Sequence, residues 1–400
     1  MSLSSIIAPD CNSTKKRIIT IFFYNRSMTI PELSKELNLS VPTVSKLVSE
    51  LVEEEILTDY GKSESKTGRR PSTYGLNPQS GYFLGIDIKK DHLNLGISDF
   101  NGEIVRREFD IPYPWTGAVR EELDRIIELV RDFVASSGIE LPKILNACVN
   151  IGGRVNSYTG YSHSYFNFDE TPLADVLSDA LGMNVCVDND SRSMAYGEYL
   201  CGSVRGEKDV LYVNLGWGLG LGIIISGAVY GGKSGYAGEF GHVYAFDNEI
   251  LCHCGKKGCL ETEVSGMALH RQVTEALSQG KVSCLSRLMD EKGSVTLRDI
   301  VDAINAEDIL CIEILEDIGR KLGRQLANLI NIFNPELVVI GGTLAAVGDY
   351  LIQPVRQAVK KHSLRLVNSD SRIICSRLDE RAGIIGACMT ARRLMFERSY

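Results

Sequence analysis

Gly238-Glu-Phe-Gly-His242, followed by Cys252-His-Cys-Gly-Lys-Lys-Gly-Cys259 and Leu260-Glu261, is the stretch on which the reading of this chain turns. Cys252, Cys254 and Cys259, with a histidine, supply the three thiolates and one imidazole that tetrahedral zinc accepts. Gly255 and Gly258 let the backbone fold tightly around a metal. With all four positions filled by protein, such a site is structural and leaves no place for an activated water. Spacing alone leaves the imidazole open between His242 and His253. His253 lies between two ligands and is expected to point away. The competing explanation is a chance clustering of reduced cysteines.

Most of the 11 cysteines lie singly in apolar segments, as Cys148, Cys186 and Cys311 do. One metal site in a reducing cytoplasm accounts for them better than a disulfide framework. Four hundred residues are too many for one ordinary domain and point to two or three. A composition of 44% hydrophobic and 24% charged residues fits a soluble globular chain. The longest apolar runs, such as Gly220–Ser226 and Leu337–Ile340, are strand-sized and far short of a membrane span. The N-terminus lacks the charged-then-apolar order of a secretory signal. A cytoplasmic location with no membrane partner is expected.

The net charge is −8, yet residues 1–77 hold ten Lys/Arg against nine Asp/Glu. An acidic body with a near-neutral arm confines contact with DNA to that arm. Within it, Thr14–Tyr24 reads as an amphipathic helix with Ile18, Ile21 and Phe22 on one face. Thr29 fits a helix N-cap, Pro31 the first turn, and Leu33 and Leu37 an i,i+4 stripe. The turn Asn38-Leu39-Ser40 leads to a third helix, Val41–Glu55, with Val44, Leu47, Val48 and Leu51 inward. Ser40, Thr43, Ser45 and Lys46 are expected to face outward. Two short helices joined this tightly form a helix-turn-helix whose second helix enters the major groove. Ile56–Tyr60 and Tyr74–Leu76 follow as a wing hairpin. Arg69 and Arg70 at its tip suit phosphates or a narrow minor groove. The plainer alternative is a helical interaction module that never touches DNA.

From Tyr82 strands alternate with helices. Tyr82–Lys89 and Leu93–Phe100 read as a strand pair, with Asn101-Gly102 as a hairpin turn at the end of the second strand. A helix over 118–136 and a buried strand Ile144–Ile151 come next. Val210–Leu215 and Leu221–Ser226 begin a second, similar pair, and the long helix Ile309–Phe333 precedes the strand Leu337–Ile340. Two such beginnings suggest a duplicated α/β lobe with ligands in the cleft between copies.

At GEFGH and CHCGKKGCLE the chain resembles the ROK family (repressors, open reading frames and kinases), in particular its branch of N-acetylglucosamine and xylose repressors. The resemblance implies a winged helix-turn-helix at 1–77 and a two-lobed, actin-like (ribonuclease H-like) sugar-kinase fold. The first lobe would span 78–195, joined by a C-terminal helix at 382–400, and the second, with the zinc site, 196–381. It implies His242 as the fourth zinc ligand. The family stretch E-N-D-A-N reads Asp188-Asn189-Asp190-Ser191-Arg192 here. Asp190 thus matches the catalytic base that takes the sugar-hydroxyl proton, and Asn189, Glu239, His242 and Glu261 match sugar ligands. Gly153, in Ile151-Gly-Gly-Arg154, and Asn167 match further sugar contacts. His242 would bind zinc through one nitrogen and sugar through the other, the metal fixing its tautomer.

The phosphate loops depart from the family. D-x-G-G-T has become Asp87-Ile-Lys-Lys-Asp91: Lys89 and Lys90 replace glycines, and Asp91 replaces the hydroxyl residue. L-G-T-G-x-G has become Leu215-Gly-Trp-Gly-Leu-Gly220, where Trp217 adds bulk. Side chains fill space in which backbone should approach phosphate. The expected function is a sugar-responsive DNA-binding repressor that binds its sugar effector without phosphorylating it. The alternative is an active ATP-dependent sugar kinase carrying a DNA-binding arm. The expected partners are operator DNA, a small sugar and further copies of the chain, as a homodimer or homotetramer.

Overall fold

The computed structural model describes residues 3, 6, 13–62, 71–90, 92–113, 119–167, 171–379 and 381–397. Arg69, Arg70 and Asp91 lie outside them. The chain divides into two compact units, one of residues 1–188 and 387–400, the other of residues 189–386.

The first unit opens with α1 (Thr14–Tyr24), β1 (Ser27–Thr29), α2 (Ile30–Leu37), α3 (Val41–Glu53), β2 (Leu57–Lys62) and β3 (Ser72–Leu76). Thr29 and Glu32 form a reciprocal capping box that starts α2. Ser40 caps α3 by accepting from the Thr43 amide. Asn38, in the left-handed region at φ 54°, makes the turn between them. Val44, Val48 and Leu51 are buried as expected, whereas Leu47, expected inward, and Ser45, expected outward, are both half-buried. The wing is a sheet ordered β1-β3-β2, β1 being a strand too short to leave a periodic signature.

Then come β4 (Tyr82–Ile88), β5 (His92–Asp99), β6 (Ile104–Pro112), α4 (Val119–Ser136), β7 (Ile144–Ile151), β8 (Val155–Asn156), β9 (Tyr161–Ser162), α5 (Leu173–Leu181) and β10 (Val185–Asn189). Their main sheet runs β10-β7-β4-β5-β6, with β4 parallel to β7 and antiparallel to β5. Six of the seven residues of β4 are buried, as suits a central strand covered on both faces. Edge strand β6 alternates between half-buried and exposed over much of its length.

The second unit contains α6 (Asp190–Cys201), β11 (Val210–Leu215), β12 (Leu219–Ile225), β13 (Ala228–Val229), α7 (Gly266–Ser278), α8 (Ser286–Lys292), α9 (Leu297–Asn305), α10 (Ile309–Phe333), β14 (Leu337–Gly341), α11 (Asp349–His362), α12 (Arg365–Asp370) and β15 (Arg372–Cys375). Its sheet runs β15-β14-β11-β12-β13, with β11 parallel to β14 and antiparallel to β12. That order repeats the first unit's sheet strand for strand, so the duplicated lobe expected from the paired strands is present. Gly323 on α10 lets α11 approach: a Cβ there would lie 2.5 Å from the Val355 carbonyl oxygen.

Helix α13 (Arg381–Glu397) begins in the second unit and ends in the first. In the first unit its Ala387, Ala391 and Phe396 share one apolar core with Phe22 and Phe23 of α1, Leu33 of α2 and Phe83 and Phe100 of the sheet. Arg392 completes this junction. Its guanidinium lies 3.8 Å from the Phe23 ring centroid, and its Nε donates to the Phe100 carbonyl at 3.0 Å.

Candidate sugar and metal site

The two signature stretches fold onto each other. A turn at Phe240–His242 presents His242, and a bridge pairs Tyr244 with Cys259. The amide of Cys252 donates to the Lys256 carbonyl at 2.8 Å, closing the loop that carries the thiols. Gly258, at φ 76°, has no room for a side chain: a Cβ would lie 2.4 Å from the Phe246 carbonyl oxygen. The ligand atoms of His242, Cys252, Cys254 and Cys259 all lie within 4.8 Å of one another, so the cluster can hold a metal ion.

Burial pushes the Cys252 and Cys259 thiols up. Burial acts in the same sense on Cys254, but the Lys256 amide, the neighbouring thiols and His253 bring it below its ordinary value.

His242 faces two ways. Its Nδ1 lies 3.6 Å from Cys252 Sγ, and its Nε2 lies 3.7 Å from Glu239 Oε2. His253 does not point away. Its Nδ1 lies 3.0 Å from Glu261 Oε1, although the side chain is exposed. Glu261 is buried, which by itself would raise its pKa. The His253 hydrogen bond, the charges of His253 and His242 and the Leu219 amide together hold its carboxyl below the usual carboxylate range.

Asn189 and Asp190 stand where β10 meets α6. Asn189 caps the helix, its Oδ1 accepting from the Arg192 amide at 3.1 Å. Asp190 Oδ1 accepts from the Ser191 amide at 2.7 Å, and its Oδ2 accepts from Asn214 Nδ2 at 3.3 Å. Asn214, on β11, drew no attention in the sequence.

Gly218 packs against a carboxylate and Gly220 against a hydroxyl. A Cβ on Gly218 would lie 2.8 Å from Glu261 Oε2, and one on Gly220 2.0 Å from Ser191 Oγ. Packing against Glu261 and Ser191 thus requires these glycines. Gly341 and Gly342 have similar reasons: Cβ atoms there would lie 2.1 Å from the Tyr212 hydroxyl and 2.6 Å from Asn214 Oδ1.

The second glycine loop is turned inward. The carbonyls of Gly216 and Trp217 accept from the Gly266 and Met267 amides at 2.8 and 2.9 Å, and Ser265 caps the Ala268 amide at 3.1 Å. The free amides at the start of α7, which could otherwise bind an anion, are thereby occupied. Trp217 lies against His270 with ring centroids 5.6 Å apart.

In the first unit, Lys89 Nζ lies 3.0 Å from Asp87 Oδ1. Gly153 takes φ 81°, and a Cβ there would meet Ser164 Oγ at 2.4 Å. Asn167 is exposed just after the turn that follows β9. Ser40, Thr43 and Lys46 are exposed along one end of α3.

Comparison with known proteins agrees with these features. The sequence profile of the ROK family matches residues 83–393, and that of a winged helix-turn-helix DNA-binding domain matches residues 12–58. The xylose repressor of Caldicellulosiruptor bescii is 28% identical over 378 residues, spanning 93% of either chain. The crystal structure of a ROK family transcriptional regulator, a homologue of the E. coli MLC protein, superposes with a TM-score of 0.80 at 25% identity, covering 96% of both chains. A ROK family glucokinase from Streptomyces griseus, solved with glucose and AMPPNP, superposes with a TM-score of 0.68 at 27% identity, covering 78% of this chain and 100% of its own.

Proposed function

The chain belongs to the ROK family, and on that footing we propose that it is a sugar-responsive transcriptional repressor whose kinase-like part binds sugar without phosphorylating it. One observation carries the reading: a capped helix-turn-helix shares a chain with Asn189, Asp190, Glu239, His242 and Glu261, all in the second unit. Carboxylates and an amide grouped around an imidazole are the donors and acceptors that sugar hydroxyls need.

Zinc is the metal we assign to His242, Cys252, Cys254 and Cys259. Tetrahedral bonds of about 2.0–2.3 Å set ligand atoms roughly 3.5–3.8 Å apart. The 3.6 Å separations of Cys252 Sγ from His242 Nδ1 and of Cys254 Sγ from Cys259 Sγ agree with that geometry. The metal would brace the loop and fix His242 with Nε2 toward Glu239. Residues 1–77 would carry DNA recognition through Ser40, Thr43, Ser45 and Lys46 and, at the wing tip, Arg69 and Arg70. Sugar can alter operator affinity only by binding one arrangement of the chain better than another. A symmetric homo-oligomer would match palindromic half-sites.

Asp190 favours the second reading, an ATP-dependent kinase, because the family resemblance matches it to the catalytic base. Against it stand Lys89, paired with Asp87, and the inward-turned loop at Trp217. The test is fluorescence anisotropy on operator DNA with a panel of xylose, glucose and N-acetylglucosamine, together with an ATP-turnover assay. A sugar-dependent change in DNA affinity without turnover is expected. Absence of DNA binding by the intact protein refutes the repressor reading, and turnover abolished by Asp190→Ala establishes the kinase.

A further inference from the structure

Arg192 is charged yet only 3% exposed, and it sits in the first turn of α6, two residues after Asp190. A buried guanidinium is retained at low cost only where acceptors meet it. Here Nη1 donates to the Gly235 carbonyl at 2.5 Å, while the Arg192 amide donates to Asn189 Oδ1 at 3.1 Å. The residue therefore grips both ends of a span: the turn that displays Asn189 and Asp190, and a loop 43 positions further along the chain.

That loop needs a grip. Between Gly231 and Glu239 it has three glycines with positive φ, Gly232 at 69°, Gly235 at 78° and Gly238 at 95°. Such residues lose the most conformational freedom on ordering. The Ala237 amide closes the loop on the Gly231 carbonyl at 3.0 Å, and Gly238 is wedged against β12, where a Cβ would lie 2.0 Å from the Leu221 carbonyl oxygen. Directly after Gly238 come Glu239 and, three residues on, His242. An asparagine at this position, as in the family's E-N-D-A-N stretch, would be several bonds shorter than the arginine that reaches Gly235.

We propose that Arg192 is a positioning residue of the sugar site. Its guanidinium fixes the loop 231–238 to the start of α6, and so sets Glu239 and His242 relative to Asn189 and Asp190. The inference rests on the sugar-binding reading above and adds to it the part that aligns its two halves.

The test compares full-length Arg192→Met and Arg192→Lys with the wild type by calorimetric titration of xylose, glucose and N-acetylglucosamine. Hydrogen exchange over 230–239, thermal melting and operator binding without sugar are measured alongside. Arg192→Met should weaken sugar binding about 10- to 100-fold, the range for losing a hydrogen bond made by a charged group. Exchange over 230–239 should speed up, while sugar-free operator binding is unchanged. Arg192→Lys, which keeps the charge but not the fork, should fall between the two in both measurements. Sugar affinity within threefold of wild type and unchanged loop exchange in Arg192→Met would overturn the proposal. So would weakened sugar binding with wild-type loop exchange in Arg192→Lys, since the side chain would then be acting on the sugar itself. Should Arg192→Met fail to fold, Arg192→Lys carries the same comparison. If the wild type binds none of these sugars, the sugar-binding reading fails, and loop exchange alone still decides whether Arg192 holds the loop.

Discussion

Lys89 Nζ stands 3.0 Å from Asp87 Oδ1, and Asp87 has no exposed surface. The other carboxylate oxygen accepts from Asn94 Nδ2 at 3.3 Å. The lysine that takes a glycine's place in the first phosphate loop is thus engaged with a carboxylate of the strand beneath it. Lys89→Ala should cost about 1–3 kcal/mol, the range for leaving a buried polar group unmatched. Urea denaturation should show it as a lower midpoint with an unchanged slope. Millimolar ATP should leave the wild-type melting temperature where it is, and a rise of several degrees would show that nucleotide is bound after all.

Cys259→Ser should lose the bound metal. Elemental analysis is expected to give one zinc per wild-type chain and far less in the variant. Sugar affinity should fall at least tenfold, because His242 loses the partner that orients it. Retained affinity in a zinc-free variant would separate the metal from the sugar site.

At the start of α3, Ser40 Oγ accepts from the Thr43 amide at 3.4 Å and lies 2.8 Å from the Thr43 hydroxyl. Ser40→Ala should therefore cost about 1 kcal/mol of stability as a lost cap. Ser40→Asp keeps a cap but sets a negative charge where phosphate is expected. Operator affinity should fall much further with Asp than with Ala, and equal affinities would place this helix end away from the backbone of DNA. Lys46→Ala should lower the salt dependence of operator binding by about one phosphate contact.

Asp308 caps α10 and accepts from the Cys284 amide, the Ser283 hydroxyl and the Cys311 amide at 2.8, 2.9 and 3.0 Å. Burial alone would raise its pKa, but these donors lower it from 3.8 to about 2. A depressed carboxylate pKa stabilises the fold fully above the unfolded value, and that stability is lost as pH falls through the folded one. Discounted for solvent screening, the contribution is about 1–2 kcal/mol. Acid titrations of stability should be flatter for Asp308→Asn than for wild type between pH 4 and pH 2. Parallel curves would count against this cap.

The thiol cluster was legible because its ligands lie within one short stretch and its turns are local. Helix α2 was legible for the same reason, with Thr29 acting three residues along, whereas the Ser40 cap of α3 shows only in the fold. Asn214 and Arg192 were not, since their partners lie 24 and 43 positions away and strand order alone brings them near. Gly218 and Gly220 were visible as glycines of an altered phosphate loop, but that Glu261 and Ser191 press on them shows only in the fold. His253 escaped a rule about alternate residues because a tight turn does not keep strand alternation. Arg69, Arg70 and Asp91 fall outside the described residues.

The meeting of Phe23 with α13 bears on the order in which the protein matures. Arg392 Nη2 donates to the Phe23 carbonyl across 369 positions of chain, and the rings of Phe23 and Phe396 lie 4.4 Å apart. A ribosome therefore releases the DNA-reading segment long before it makes the side chains that complete its core. Until α13 has been made, that segment has exposed aromatic surface and an unfinished base. A chain that stops short of α13 lacks the side chains that finish this core, and its operator affinity in an anisotropy titration should be lower than that of the whole chain.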